Sequence, residues 1–299
     1  MIKKGVESVI CNLCPRNCNA ERTEHDRAGF CNMPLNPVIA QADLHFWEEP
    51  CISGKGGGGA VFFSGCSLKC CYCQNFKISS KGYGKEIGVG RLADIFKELE
   101  DKGASCIDLV SPSHFAYSVL KAFDIYKPQI PVVYNSSGYE KVETLKMFEG
   151  IVDVYLPDLK YVESEISEKY SSCKDYFQYA SEAIKEMKRQ VPENIFVDGL
   201  IKKGLIIRHL VLPSNMENSR RVLRWIRENL GDGEYISLMS QYTPCSESEK
   251  HPEINRTLMT AEYDKILDYF FEIGLKNGYM QEKSSAKEIF VPPFDLRGI

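Results

Sequence analysis

The stretch Cys66-Ser67-Leu68-Lys69-Cys70-Cys71-Tyr72-Cys73 follows directly on the β-type run Ala60–Ser64. It sets Cys66, Cys70 and Cys73 at Cys-x3-Cys-x2-Cys spacing on one tight loop. An all-sulfur set this close favours an iron–sulfur cluster or zinc over hard cations. A complete [4Fe–4S] cluster usually takes four protein thiolates. Three would leave one iron open to an outside ligand, as three-ligand catalytic zinc leaves a position for substrate. The bare spacing also fits a zinc knuckle or plain buried thiols. Position separates these readings, because the loop sits at the C-terminal end of a strand, where α/β barrels place their chemistry.

Downstream, β-type runs recur at Ser105–Val110, Pro131–Asn135, Ile151–Leu156, Leu205–Leu212 and Glu234–Met239, with helical periods between most of them. Arg91–Lys102 puts Leu92, Ile95, Phe96 and Leu99 on one helical face. Phe115–Tyr126, Lys141–Phe148, Tyr176–Arg189, Glu217–Asn229 and Ala261–Lys276 repeat that pattern. Alternating strands and helices predict a parallel sheet joined by crossovers. Six strands are too few to close an eight-fold barrel; they suit an open α/β fold, either a partial (β/α)6 barrel or a doubly wound sheet, and the partial barrel is the expectation. The polar stretch Tyr161–Ser172 reads as a surface helix or loop. Gly-Lys-Gly-Gly-Gly-Gly at 54–59 lacks the Gly-Lys-Ser/Thr of a phosphate loop and reads as a flexible entry to the first strand.

Upstream the pattern changes. Cys11, Cys14, Cys18 and Cys31 form a four-thiolate set without a long helical period. Such a module could not bury a core unaided and would be stapled by a ligand. Four sulfurs fit structural zinc or an auxiliary [4Fe–4S] cluster, and the short Cys-x2-Cys knuckle tips the balance slightly to zinc. The expected division is therefore a cysteine-rich metal-binding module at 1–50 and a barrel domain at 51–299. His45, Glu48, Glu49 and Cys51 lie between the module and the first strand, where they could face the mouth of the site.

With 37 basic and 41 acidic residues in 299, the net charge is −4. That leaves no broad basic face for nucleic acid. No run approaches 18 apolar residues, so no membrane span is expected. The N-terminus lacks the apolar stretch of a signal peptide. Most of the 12 cysteines crowd before residue 74, and in a reducing compartment such crowding means metal more often than disulfide. A cytoplasmic location is the expectation.

The Cys-x3-Cys-x2-Cys loop, with Tyr72 before its last cysteine, resembles that of the radical S-adenosylmethionine (SAM) superfamily. Fuller stretches narrow the likeness: FFSGCSLKCCYCQNFKIS, PVVYNSSGYE, VDVYLPDLKY, IRHLVLPSN, SLMSQYTP and VPPFDLRGI. From about residue 8 onward the chain is similar to an uncharacterised branch related to the pyruvate formate-lyase activating enzyme. The resemblance implies that Cys66, Cys70 and Cys73 ligate a [4Fe–4S] cluster whose open iron chelates the amine and carboxylate of SAM. One electron would then cleave SAM to a 5′-deoxyadenosyl radical, which takes hydrogen from a substrate. Tyr72 would lie near the adenine. The substrate is open; the activase-like form is a protein glycine, and a peptide or small molecule is the other. A reduced flavodoxin or ferredoxin is the expected electron donor. The rival reading, from a different class, is a non-catalytic iron–sulfur or zinc protein serving interaction or redox sensing.

Strand ends supply the remaining candidates. Ser111-Pro112-Ser113-His114 stands where many superfamily members carry Gly-Gly-Glu for the SAM amine, and it has no acid. Ser111 or backbone carbonyls would substitute, and His114 is either catalytic or a structural hydrogen bonder. Asn135, Ser136 and Ser137 suit the SAM ribose and carboxylate, or form an ordinary turn. Lys160, in Asp158-Leu159-Lys160, resembles a lysine near the SAM carboxylate, and Arg208 matches a buried active-site arginine. A charged residue in an apolar strand is seldom left without a partner. Gln241 and Tyr242 are weaker candidates at the end of the sixth strand. Cys71, Cys106, Cys173 and Cys245 read as ordinary small hydrophobes or surface thiols.

Overall fold

The computed structural model describes residues 8–281 and 291–299. The start of the 1–50 stretch thus lies outside the described residues. The chain enters through an antiparallel hairpin, β1 (Val9–Cys11) with β2 (Ala20–Arg22). Next comes β3 (Val38–His45), whose first five residues are buried. After the short helix α1 (Pro50–Ser53), β4 (Gly58–Phe63) pairs antiparallel with β3 from Ile39 to His45. β3 therefore belongs to the large sheet, although it falls within residues 1–50.

The glycine-rich stretch is not a free linker at its end. Gly58 and Gly59 are buried in β4. A Cβ on Gly59 would come within 3.0 Å of both the Cys106 carbonyl oxygen and Leu99 Cβ. Glycine lets the neighbouring strand and helix approach this closely.

After α2 (Phe76–Ser79) and the edge strand β5 (Lys85–Glu86), helices and parallel strands alternate. They run α3 (Val89–Asp101), β6 (Ile107–Val110), α4 (Ala116–Ile125), β7 (Val132–Ser136), α5 (Val142–Lys146) and β8 (Val154–Pro157). α6 (Ser164–Ser171) and α7 (Tyr176–Gln190) precede β9 (Ile195–Val197) and the long β10 (Leu200–Leu210). α8 (Met216–Asn229), β11 (Tyr235–Met239), α9 (Thr260–Glu272) and β12 (Asn277–Met280) follow. The sheet order is β12-β11-β10-β8-β7-β6-β4-β3-β5, with β9 antiparallel on β10. From β4 to β12 every neighbouring pair on this path is parallel. The sheet has two edges and is an open, partial barrel of α/β type, as the alternation predicts. β12 adds a short seventh parallel strand that the sequence pattern did not disclose, because Asn277-Gly-Tyr-Met is only half-buried and carries no apolar run.

Burial explains the pattern. All six residues of β4 and all four of β8 are buried, as expected of strands covered on both faces. The predicted face of α3 is the buried one: Leu92, Ile95, Phe96 and Leu99. Phe96 stacks on Phe123 of α4 at 4.9 Å, locking two crossover helices together. The stretch Tyr161–Ser172 contains α6, and it is less superficial than its polarity suggested. Tyr161, Tyr170 and Ser171 are buried, because this segment turns its hydroxyls toward the cysteine loop. The C-terminal segment returns to β3 through Ala42 N donating to Arg297 O at 2.9 Å and Leu296 N donating to Ala40 O at 3.1 Å. Among the described residues no helix is long and apolar enough to cross a membrane.

Because the strands are parallel, the ends of β4, β6, β7, β8, β10 and β11 share one rim. That rim carries the cysteine loop, Ser111, Asn135, Asp158, Arg208 and Gln241.

Candidate active site

The cysteine loop leaves β4 through Gly65, which has φ +85°. A Cβ there would meet Met33 Cγ at 2.5 Å, the Cys31 carbonyl at 3.0 Å and His114 Nε2 at 3.1 Å. Positive φ and the close approach both require glycine. Other segments then fix the loop backbone. Cys71 N donates to Tyr170 O at 2.8 Å, Glu247 N to Cys71 O at 2.9 Å, and Arg16 Nε to Ser67 O at 2.7 Å. Each thiol has a neighbour on its sulfur: Leu68 N donates to Cys66 at 3.3 Å, Ser171 Oγ to Cys70 at 3.0 Å, and Ser79 Oγ lies 3.2 Å from Cys73.

Burial pushes all three thiols above their usual range, and repulsion from neighbouring thiolates adds to it at Cys66 and Cys73, the latter rising to about 11. Lys160 opposes the rise at each. Such a site favours thiolates only when a cation shares it. Among the described residues no three His, Cys, Asp or Glu side chains converge on a point as the ligands of a single ion would. A cubane makes a different demand, one thiolate to each of three irons. Three partly buried thiols on one turn, each with a donor or hydroxyl at its sulfur and a lysine beside them, fit that demand.

Cys70 and Cys73 line a cavity of about 220 Å³ that also touches Tyr72, Asp158, Lys160 and Arg208. Tyr72 OH lies 2.5 Å from Tyr161 OH, which lies 2.8 Å from Ser171 Oγ, the donor to Cys70. A chain of hydroxyls thus runs from Tyr72 to the Cys70 thiol. Gln241 and Tyr242 also line the cavity, as do His45 and Glu48 from the end of β3 and the turn after it. Val291 and Pro292 close it from the C-terminal segment.

Arg208 is the hub of the charged wall. Its Nε donates to Asp158 Oδ1 at 2.9 Å, Nη1 to Glu48 Oε2 at 3.2 Å and Nη2 to Asn135 Oδ1 at 2.6 Å. Lys160 Nζ pairs with the other Asp158 oxygen. Burial pushes the Asp158 carboxyl upward, but Arg208 and Lys160 outweigh it and hold it below its usual range. Glu48, Glu49 and Asp108 stand nearby, and burial dominates there: all three are raised in spite of Arg208. Two cations thus face four carboxyl groups.

The remaining candidates split. Asn135 is on the charged wall, between Arg208 and Asp108. Ser111, Ser137 and His114 line instead a small cleft with Cys66, behind the loop. Ser111 adopts φ +60°, a left-handed backbone that costs a residue with a Cβ about 1 kcal/mol or more. Ser136 Oγ accepts from Gly138 N at 3.1 Å and so forms the turn that its sequence also allowed. His114 is buried with Nε2 2.7 Å from Ser64 O, and burial lowers it to about 4. It is a neutral strut holding the strand end before the loop.

Sequence reasoning missed an acid here. Glu140 is buried in the same cleft, accepts from Ser113 Oγ at 2.7 Å, and burial raises it to about 7. It comes from the turn after β7, not from the Ser111–His114 stretch. Asp108 was also missed. The signal was available in Ile107-Asp108-Leu109-Val110, where one acid interrupts a buried strand, as Arg208 does in β10.

The N-terminal thiols are gathered as well. Cys14 feels Cys31 and Cys11, and Cys31 feels Cys11 and Cys18. Burial is the main reason that Cys14 rises to about 12. Arg22 is 1% exposed and donates to Cys11 Sγ at 3.5 Å, to Met33 O at 3.1 Å and to His114 O at 2.6 Å. One guanidinium therefore ties the module to the barrel, next to the strut under the cysteine loop.

Residues 52–169 match the family described as a 4Fe-4S single cluster domain. Uncharacterized protein MJ0674 of Methanocaldococcus jannaschii is 31% identical over 86% of this chain and 73% of its own length. Among solved structures, Streptococcus suis SuiB bound to precursor peptide SuiA gives a TM-score of 0.48 at 14% identity, covering 73% of this chain and 47% of SuiB. This chain thus spans about half of SuiB's length. A domain of pyruvate-formate lyase-activating enzyme from Bacteroides vulgatus gives 0.37 at 14% identity, covering 65% of this chain and 91% of that domain. At this similarity neither structure says what the present chain acts on. The cysteine loop lies inside the matched cluster domain, and the curated relative leads to one conclusion: this chain belongs to the family of the M. jannaschii protein.

Proposed function

We propose that the protein is an enzyme that cleaves SAM reductively and removes a hydrogen atom from a substrate held in the cavity beside the cysteine loop. The observation that carries this reading is the shared cavity of about 220 Å³, in which Cys70, Cys73, Tyr72, Lys160 and Arg208 meet. With a [4Fe–4S] cluster on Cys66, Cys70 and Cys73 and SAM at its open iron, the pair supplies the 5′-deoxyadenosyl radical. The chain's own residues do the rest. Lys160 and Arg208 offer positive charge toward a carboxylate. Tyr72 gives a buried aromatic face beside the loop. Asn135 offers its amide, and Asp158 keeps both cations oriented. The C-terminal segment and Tyr242 limit water.

A protein glycine is the activase-like form of the substrate; the motif resemblance supports it, and a glycyl radical by electron paramagnetic resonance (EPR) would test it. A flavodoxin or ferredoxin would serve as electron donor, and the four N-terminal thiols would hold zinc or a second cluster. The reading is tested by anaerobic reconstitution with iron and sulfide, addition of dithionite and SAM, and quantification of 5′-deoxyadenosine. Product should form, and Cys70→Ala should abolish it. No product and no SAM binding in an iron-loaded sample would favour a non-catalytic metal protein.

A further inference from the structure

A second cavity, of about 100 Å³, adjoins the first and shares Trp47, Glu48, Arg208, Met239 and Gln241 with it. Glu49 and Tyr279 line only the second. Glu49 is 7% exposed, and its Oε2 has no hydrogen-bond partner. Ser237 and, at longer range, Arg208 favour its charged form, and Glu48 repels it. Arg208 makes no hydrogen bond to Glu49: its Nε, Nη1 and Nη2 donate elsewhere, to Asp158, Glu48 and Asn135. Lys160 pairs with Asp158 and does not line this second cavity. A second orphaned oxygen, Asp108 Oδ1, lies in the same charged cluster. A buried carboxylate oxygen without a donor keeps the desolvation penalty that a hydrogen bond would offset. One buried acceptor of the cavity is thus open to a donor from outside, and the cavity has an aromatic ring, Tyr279, over which a cation is held favourably.

We propose that this second cavity receives a primary ammonium group of the substrate, which donates to Glu49 and Glu48 beneath Tyr279 and Trp47. The proposal rests on the radical reading above, since it places the ammonium one cavity away from the cysteine loop and the hydrogen to be removed between them. In this second cavity, where Glu48 and Glu49 face Arg208 alone, an anionic substrate end is disfavoured. The ammonium belongs either to a free amine or to a lysine side chain of a peptide.

The probe is n-butylammonium, which copies the end of a lysine side chain, titrated calorimetrically into the cluster-reconstituted protein. Saturable binding is expected, and its neutral counterpart 1-butanol should bind at least about tenfold more weakly, as a charge-assisted hydrogen bond requires. Glu49→Gln should weaken n-butylammonium by a similar factor. The wild-type comparison of amine with alcohol needs no variant, so a folding defect in Glu49→Gln cannot rescue the proposal. The blocked peptide acetyl-Gly-Lys-Gly-amide binding more tightly than n-butylammonium would assign the ammonium to a peptide; weaker binding would assign it to a free amine. Absence of amine binding, equal binding of 1-butanol, or equally tight binding of potassium would overturn the proposal. 5′-Deoxyadenosine measured on the same sample reports separately whether the radical reading holds.

Discussion

The two cysteine sets of this protein look alike on paper and differ in their surroundings. Cys66, Cys70 and Cys73 hang from a parallel strand end, beside a cavity and next to Lys160. Cys11, Cys14, Cys18 and Cys31 sit on a hairpin and its following loops, with Arg22 as their cation, and none of them lines the cavity beside the cysteine loop. The first set has room for an outside molecule beside its sulfurs; the second has a guanidinium that docks it onto the barrel. Thiol spacing alone makes both sets candidate metal sites, and the surroundings are what tell them apart: only the barrel set lies beside the cavity.

The largest expected effect separates the two. Cys70→Ala should remove 5′-deoxyadenosine formation altogether while the purified chain keeps its helical circular dichroism. Cys14→Ala should act mainly on stability, lowering the unfolding midpoint. If Cys14→Ala abolished the chemistry at unchanged stability, the contrast would fail.

Arg208→Met comes next. It strands Asp158 and Glu48 in a buried wall, and removing one partner of a buried pair costs about 3–5 kcal/mol. Denaturant unfolding would measure the loss. Arg22→Met should cost about 2–4 kcal/mol, since three carbonyl oxygens and a thiol lose their donor. It should also loosen the contact between module and barrel, seen as faster amide exchange on both sides.

Glu140 gives a pH signature. Its folded pKa of about 7 lies above the 4.5 of an ordinary glutamate, so the folded chain binds the proton more tightly. Its contribution to stability is full below about 4.5 and is lost as pH rises to about 7. Glu140→Gln should therefore flatten the fall in unfolding free energy over that window, by up to about 3 kcal/mol. An unchanged pH profile would show that Glu140 is not the buried acid described here.

The smallest effect is the finest probe of the cysteine loop. Ser171→Ala deletes the hydroxyl donor to Cys70 Sγ. It should cost about 1 kcal/mol of stability. Hydrogen bonds to cluster sulfurs raise reduction potentials, so the potential of the reconstituted cluster should become more negative. A potential equal to that of the wild type would detach Ser171, and the hydroxyl chain from Tyr72, from the tuning of the site.

How much was legible in advance follows from chain distance. The cysteine loop, the six parallel strands and the buried face of α3 are local patterns, and local patterns survive in a single sequence. Arg208 could be singled out because one charge in an apolar strand demands partners. Its partners could not, since Glu48, Asn135 and Asp158 come from three separate segments that only the sheet order brings together. The missing acid in Ser111–His114 had the same cause. Glu140 enters the neighbouring cleft from the next strand's turn, and no spacing rule links the two. β12 escaped because a half-buried edge strand leaves little apolar trace.

The central claim is that the barrel loop, and not the N-terminal module, holds a cluster with an iron open to SAM. The direct measurement is the EPR spectrum of the dithionite-reduced, reconstituted protein with and without SAM, in wild type and Cys70→Ala. The account predicts a reduced [4Fe–4S] signal that changes shape when SAM is added, and loss of that SAM-responsive signal in Cys70→Ala. A wild-type signal indifferent to SAM, or a SAM-responsive signal that survives Cys70→Ala, would contradict it.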